Sequence, residues 1–170
     1  MKKLILLLFV SLFASALFAQ EMFTVPVPTD LQKYRSAAWQ WSAAYLLQIN
    51  FAKSMGKSVE DVANFNGDQA KLSWNKEAGF EGFVKGILYN FVCITPQGTV
   101  EILEQNDHKV VFQVTKVYPQ LKDQGPIFNV TYEEYLKFWS IAIARIGDYL
   151  GATYTQKEKD DGIVATIEKK

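Results

Sequence analysis

A single cysteine, Cys93, and a single histidine, His108, in 170 residues remove several chemistries at the outset. One thiol cannot close an intramolecular disulfide, so stability has to come from packing. Zinc sites draw three or four ligands from His, Cys and carboxylates, and the chain has neither enough of the first two nor an HExxH motif. No metal and no other cofactor is expected. Phosphate-binding loops are missing as well: GFEGFVKG lacks the Gly-Lys-Ser/Thr ending and follows no strand pattern. Charge of one sign is not in excess either, with 18 basic and 18 acidic residues. Such a balance leaves no electrostatic footprint for nucleic acid or anionic lipid.

Long apolar runs are confined to the start of the chain. MKKLILLLFVSLFASALFAQ places Lys2 and Lys3 before an apolar run and small residues after it, the layout of a cleavable secretory signal peptide over residues 1–19. Cleavage after Ala19 starts the mature chain at Gln20, with Ala14 and Ala16 offering an alternative A-x-A site. Residues 4–19 fall short of the roughly 18 to 20 apolar residues that span a bilayer, so no stable membrane anchor is expected. The protein is therefore expected in the periplasm or outside the cell, bacterial in character. Residues 20–170 suffice for a single domain with one core. Loss of Lys2 and Lys3 from a balanced chain leaves a charge of about −2, still close to neutral.

What the sequence does have is periodicity. Thr29 and Gln32 form a capping-box pattern ahead of Leu31, Tyr34, Ala38, Trp41, Tyr45, Ile49 and Ala52, which recur every three or four residues. That predicts a helix over residues 30–55 burying an aromatic stripe. Ser58 and Asp61 open a second helix with Val59, Val62, Ala63 and Phe65 on its face; Gly67 weakens it, and helix is expected to continue through residues 71–76. In GFEGFVKGILYNFVCITP, Phe83, Ile87 and Phe91 fall at helical spacing and the surrounding apolar residues predict a buried helix, within which Cys93 reads as a small hydrophobe. Its glycines are expected to let other backbones approach closely.

The pattern then changes to β. Residues 99–104 and 110–118 are rich in β-branched and aromatic side chains and flank QNDHK, which predicts a hairpin with Val110, Phe112 and Val114 on one face. After the loop PQLKDQGPIFN, Thr131 and Glu134 cap a helix over residues 132–150, closed by Gly151. A turn at Asp160-Asp161-Gly162 leads to a last strand, GIVATIE, with Ile163, Ala165 and Ile167 on one face. The fold class expected is α+β: N-terminal helices, an antiparallel hairpin, a long helix and a C-terminal strand, with helices packed on a small sheet.

Little in this layout selects catalytic groups. His108 falls at the hairpin tip between Asp107 and Lys109, and no carboxylate pair is singled out by spacing. Asp160, Asp161 and Glu158 lack the alternation of a Ca²⁺ loop. Aromatic residues, 14% of the chain, carry the functional signal. Trp41 and Trp139 lie on predicted core stripes, whereas Trp39 points away from the Trp41 stripe and Trp74 sits between Ser73 and Asn75. Trp39 and Trp74 are thus the candidates for lining a pocket or interface.

The run VEILEQNDHKVVFQVTKVYP, the capped helix YEEYLKFWSIAIARIGDYLGA and the closing GIVATIEKK resemble bacterial relatives of the L-2-amino-thiazoline-4-carboxylic acid hydrolase family. The resemblance lies in layout over residues 58–169 and implies a shared fold. In many such relatives the second strand ends in a Cys-Pro pair, where this chain has Tyr118-Pro119. Loss of that thiol makes shared hydrolysis doubtful and points to a ligand-binding relative with Tyr118 facing the cavity. The expected ligand-binding residues are then Trp39, Trp74 and Tyr118, and the expected partner is a small apolar or aromatic ligand. Hydrolysis of small amide or heterocyclic substrates and a structural or protein-interaction role are the alternatives.

Overall fold

Reciprocal hydrogen bonds between Thr29 and Gln32, 2.8 and 3.2 Å long, make the capping box that the sequence pattern predicts. They open helix α1 (Asp30–Ser54). The computed structural model describes residues 27–170, so the signal peptide expected over residues 1–19 lies outside the described residues. The chain divides into two units between Lys33 and Tyr34. Of the first, residues 27–33 are the described part, exposed apart from this cap; the rest of the architecture belongs to the second.

Helix α2 (Val59–Ala70) starts on a full capping box between Ser58 and Asp61. It is followed by two short 3-10 turns, Lys71–Ser73 and Lys76–Ala78, and by α3 (Gly79–Ile94). Strands β1 (Val100–Gln105) and β2 (Lys109–Val114) form the predicted hairpin. A short helix α4 (Pro119–Gln124) precedes α5 (Tyr132–Tyr149), which carries the predicted Thr131–Glu134 box. Strands β3 (Ala152–Lys159) and β4 (Gly162–Lys169) complete the chain.

All four strands pair antiparallel in the order β1-β2-β4-β3. Register puts Val110 opposite Ile167, Phe112 opposite Ala165 and Val114 opposite Ile163, and all six are buried. Ala152 and Tyr154 of β3 extend the same buried face. Val111, Gln113, Val164 and Thr166 alternate onto the other face and stay half-exposed. The helices thus cover one side of the sheet, with α5 on β3, α3 against β1, β3 and β4, and α2 against α5. At the β1 edge the register slips between Ile102 and Glu104, a bulge that disrupts the free edge against further pairing.

The α+β class and the last helix match the expectation, but several elements depart from it. The turn at Asp160 predicts a strand after it, yet β3 before it escaped the sequence pattern because ATYTQKEK is half polar. Its polar residues are accommodated by pairing: the Tyr154 hydroxyl donates to Gln156 Oε1 at 2.7 Å, and Gln156 Nε2 donates to the Leu136 carbonyl at 3.0 Å. Helix does not continue through residues 71–76 but breaks into the two 3-10 turns. Gly67, conversely, does not interrupt α2, because it marks the α2–α5 crossing: a Cβ there would lie 2.6 Å from Arg145 Cβ and 2.8 Å from the Ala142 carbonyl oxygen.

Burial on the helices also differs from the expected stripes. On α1 the buried line is Ala38, Ser42, Ala43, Leu46 and Ile49, while Trp41 is 45% exposed. Small side chains take the closest line of approach and large rings fill its flanks, so Tyr45 packs edge-on to Trp41 at 5.4 Å and to Trp139 at 4.8 Å. Phe65 is exposed. On α3 only Phe83, Ile87 and Phe91 are buried, and Cys93, on the flank of exposed Tyr89, is only half-buried. What approaches Gly86 is not a backbone but the Trp74 indole, 2.3 Å from where a Cβ would stand.

Candidate functional site

The second strand was expected to run to Tyr118, but it ends at Val114. Lys116 and Tyr118 then adopt left-handed backbone conformations, with φ of 51° and 50°. Non-glycine residues reach this region at a cost of roughly 1–2 kcal/mol each. The two reversals turn the Tyr118 side chain inward, where its ring lies 5.3 Å from that of Tyr135. Pro119, preset for the first turn of a helix, starts α4 directly afterwards.

This turn faces α1. Arg35, Ala38, Trp39 and Ser42 recur at helical spacing on one side of α1 and form one wall of a cleft. Pro96 and Gln97, from the turn after α3, and Lys116, Tyr118 and Gln120 form the other. The cleft is small and open at its mouth, with a volume of about 60 Å³. Trp39 is 44% exposed at the rim, whereas Tyr118 is only 7% exposed at the floor.

The floor is polar and incompletely satisfied. Ser42 is buried on a helix face otherwise lined with Ala and Leu, and its Oγ accepts a long hydrogen bond, 3.4 Å, from the Tyr135 hydroxyl. Burial pushes the Tyr135 hydroxyl up to about 12. The Tyr118 hydroxyl is also raised by burial, and no side chain or main-chain group among the described residues bonds to it. A buried hydroxyl without a partner costs about 1–3 kcal/mol, so a native structure retains one where something else fills the need. The lining residues include no carboxylate, thiol or imidazole.

A second, more apolar cleft of about 50 Å³ lies beside Trp41, Ile87, Asn90, Phe91 and Trp139, with Ile94 shared by both. It is a gap in the aromatic cluster of Trp41, Tyr45, Phe138 and Trp139 rather than a polar constellation. The Trp139 Nε1 proton has no acceptor among the described residues.

Of the residues expected to bind ligand, Trp39 and Tyr118 therefore meet across one cleft. Trp74 is elsewhere, half-buried against the Phe83 ring at 5.9 Å and seated over Gly86. Ser42, Arg35 and Lys116 escaped the sequence reading. A serine on the line of Ala38, Ala43 and Leu46 was a readable sign of a polar site; for Arg35 and Lys116 no local signal exists, because only the fold brings them together. His108 is exposed at the hairpin tip, where its backbone N–H donates to Asn106 Oδ1 at 2.9 Å and its carbonyl accepts from the Lys169 N–H at 2.8 Å.

Fold and cleft together define a two-layer α+β domain with a partly aromatic surface cleft. Compared with protein-family models and with curated proteins, the chain matches none.

Proposed function

We propose that the protein is an exported small-molecule-binding domain whose ligand lies in the cleft between Trp39 and Tyr118. The observation that carries this reading is the cleft itself, which places the exposed Trp39 indole at its rim and buried Tyr118, whose hydroxyl has no partner among the described residues, in its lining. An aromatic wall supplies area at low entropic cost, and a few convergent polar groups fix orientation. Export is supported by the residue pattern at the start of the chain, with a basic pair, an apolar run and small residues.

Hydrolysis of small amide or heterocyclic substrates, which the family resemblance implies, would need an activated nucleophile or a base at the cleft. Its lining offers the hydroxyls of Ser42 and Tyr118 and no general base to activate them, so binding is the preferred reading. A second reading, self-association, draws on Leu47 and Phe51, exposed one turn apart on α1. A thermal-shift screen of the exported protein against small aromatic compounds tests the first. A ligand present at a hundred times its Kd adds about 2.7 kcal/mol of stability, and Trp39→Ala should abolish the effect. Hits that stabilise the wild type and Trp39→Ala equally would remove the cleft from consideration. Sedimentation at increasing concentration, with Phe51→Ser as the comparison, tests the second.

A further inference from the structure

We propose that the ligand of this cleft is an anion with an aromatic body, its charged group held by Arg35 and Lys116 and its ring laid against Trp39. The proposal rests on the binding reading above and names the class of ligand.

The first argument is charge. Arg35 and Lys116 stand on opposite walls, one on α1 and one on the turn after β2, and no carboxylate lines the cleft. Neither forms an ion pair or a side-chain hydrogen bond with any described residue, although Lys53, Lys71, Lys122 and Arg145 all do. Two unneutralised cations facing one partly enclosed space create a positive potential that a neutral ligand would not use.

The second is the hydrogen-bond inventory of the floor. The Tyr118 hydroxyl has no partner among the described residues. Ser42 Oγ already accepts from Tyr135, and its own proton has no acceptor among the described residues. Arginine and lysine can only donate. Arg35 and Lys116 thus offer donors into the cleft, where no lining carboxylate accepts, while the Ser42 and Tyr118 hydroxyls lie buried behind them. Charge-assisted bonds from such donors to an anionic oxygen are the strong class of protein hydrogen bond.

The third is the backbone. Lys116 and Tyr118 both occupy the left-handed region within three residues, and both side chains line the cleft. Strain of this kind persists where the surrounding structure holds it, and it concentrates at ligand sites.

The test is a calorimetric and amide-shift titration of the exported protein with phenylacetate and benzoate, each against its own primary amide, at low salt. Each acid should bind at least about tenfold tighter than its amide, shifting signals of residues 116–120. In Arg35→Gln/Lys116→Gln that preference should fall towards unity, and added salt should mimic the loss. Equal binding of acid and amide at the cleft would overturn the anion proposal and leave the binding reading standing. So would an acid preference that survives in the double variant, because the charge would then be recognised elsewhere. If neither acid nor amide shifts any cleft signal while Trp39-dependent hits emerge from the thermal screen, the anion proposal alone falls; with no such hits, both fall.

Discussion

Tyr118→Phe separates stability from binding at a single atom. The substitution keeps the ring, its tilted packing on Tyr135 at 5.3 Å and the strained backbone, and removes only a buried hydroxyl that has no hydrogen-bond partner among the described residues. An unpaired hydroxyl held from water costs about 1–3 kcal/mol, so the ligand-free variant should be more stable by about 1 kcal/mol. For a domain of this size that corresponds to a rise in Tm of roughly 2–4 °C. The same change should leave the affinity for an anionic ligand within about threefold of the wild type, because the hydroxyl is sealed from the cleft. Urea unfolding followed by circular dichroism measures the first, provided the slope m is unchanged, and calorimetry measures the second. Tyr154→Phe is the control: its hydroxyl donates to Gln156 at 2.7 Å, and its removal leaves that buried amide oxygen short of a partner, at a cost of about 1–3 kcal/mol. If Tyr118→Phe destabilised the free protein as Tyr154→Phe does, the hydroxyl would have a partner and the argument from an unsatisfied floor would fail.

Gly86→Ala should gain helix propensity yet lose stability, because the new methyl must displace the Trp74 indole; a shift of tryptophan emission together with a net loss of about 1–3 kcal/mol checks it. Asp68 is hydrogen-bonded to Arg145 and Lys71, which hold its carboxyl below its ordinary value of 3.8. A depressed acid stabilises the fold above its unfolded value and loses that contribution as pH falls through the folded one. Asp68→Asn should therefore flatten the stability profile below about pH 4, and an unchanged acid limb would refute the pairing. Tyr135 is shifted the opposite way, to about 12, so its contribution is complete below pH 10 and is lost as pH climbs towards 12. Tyr135→Phe should reduce alkaline sensitivity, read by unfolding midpoints at high pH. His108→Ala should leave both unfolding midpoint and ligand affinity unchanged within about 0.5 kcal/mol, since only its backbone makes hydrogen bonds.

Elements with a local signature were legible before the fold was known. The capping boxes at Thr29, Ser58 and Thr131, the apolar spacing of α5 and the alternation of β2 and β4 each depend on residues within a few positions of one another. Strand β3 was not legible, because its polar Gln156 is stabilised by the Leu136 carbonyl, and Lys122 of α4 reaches Glu158 from well upstream. Periodicity also misjudged which face of α1 is buried. It ranked Trp41 above Ser42 by hydrophobicity, whereas packing seats the smaller side chain at the line of closest approach.

The cleft divides along the same boundary. Composition alone determined that the chain has too few thiols and imidazoles for a disulfide or for a zinc site built on them. Helical spacing singled out Trp39 as a candidate, and the family resemblance implied Tyr118. That they face one another, with Arg35, Ser42 and Lys116 around the same space, was decided only in three dimensions. Local sequence sets φ, ψ preferences and the period of burial over a turn or a strand, but a site assembled from α1, the turn after α3 and the reversal after β2 is fixed by packing contacts between residues remote in the chain.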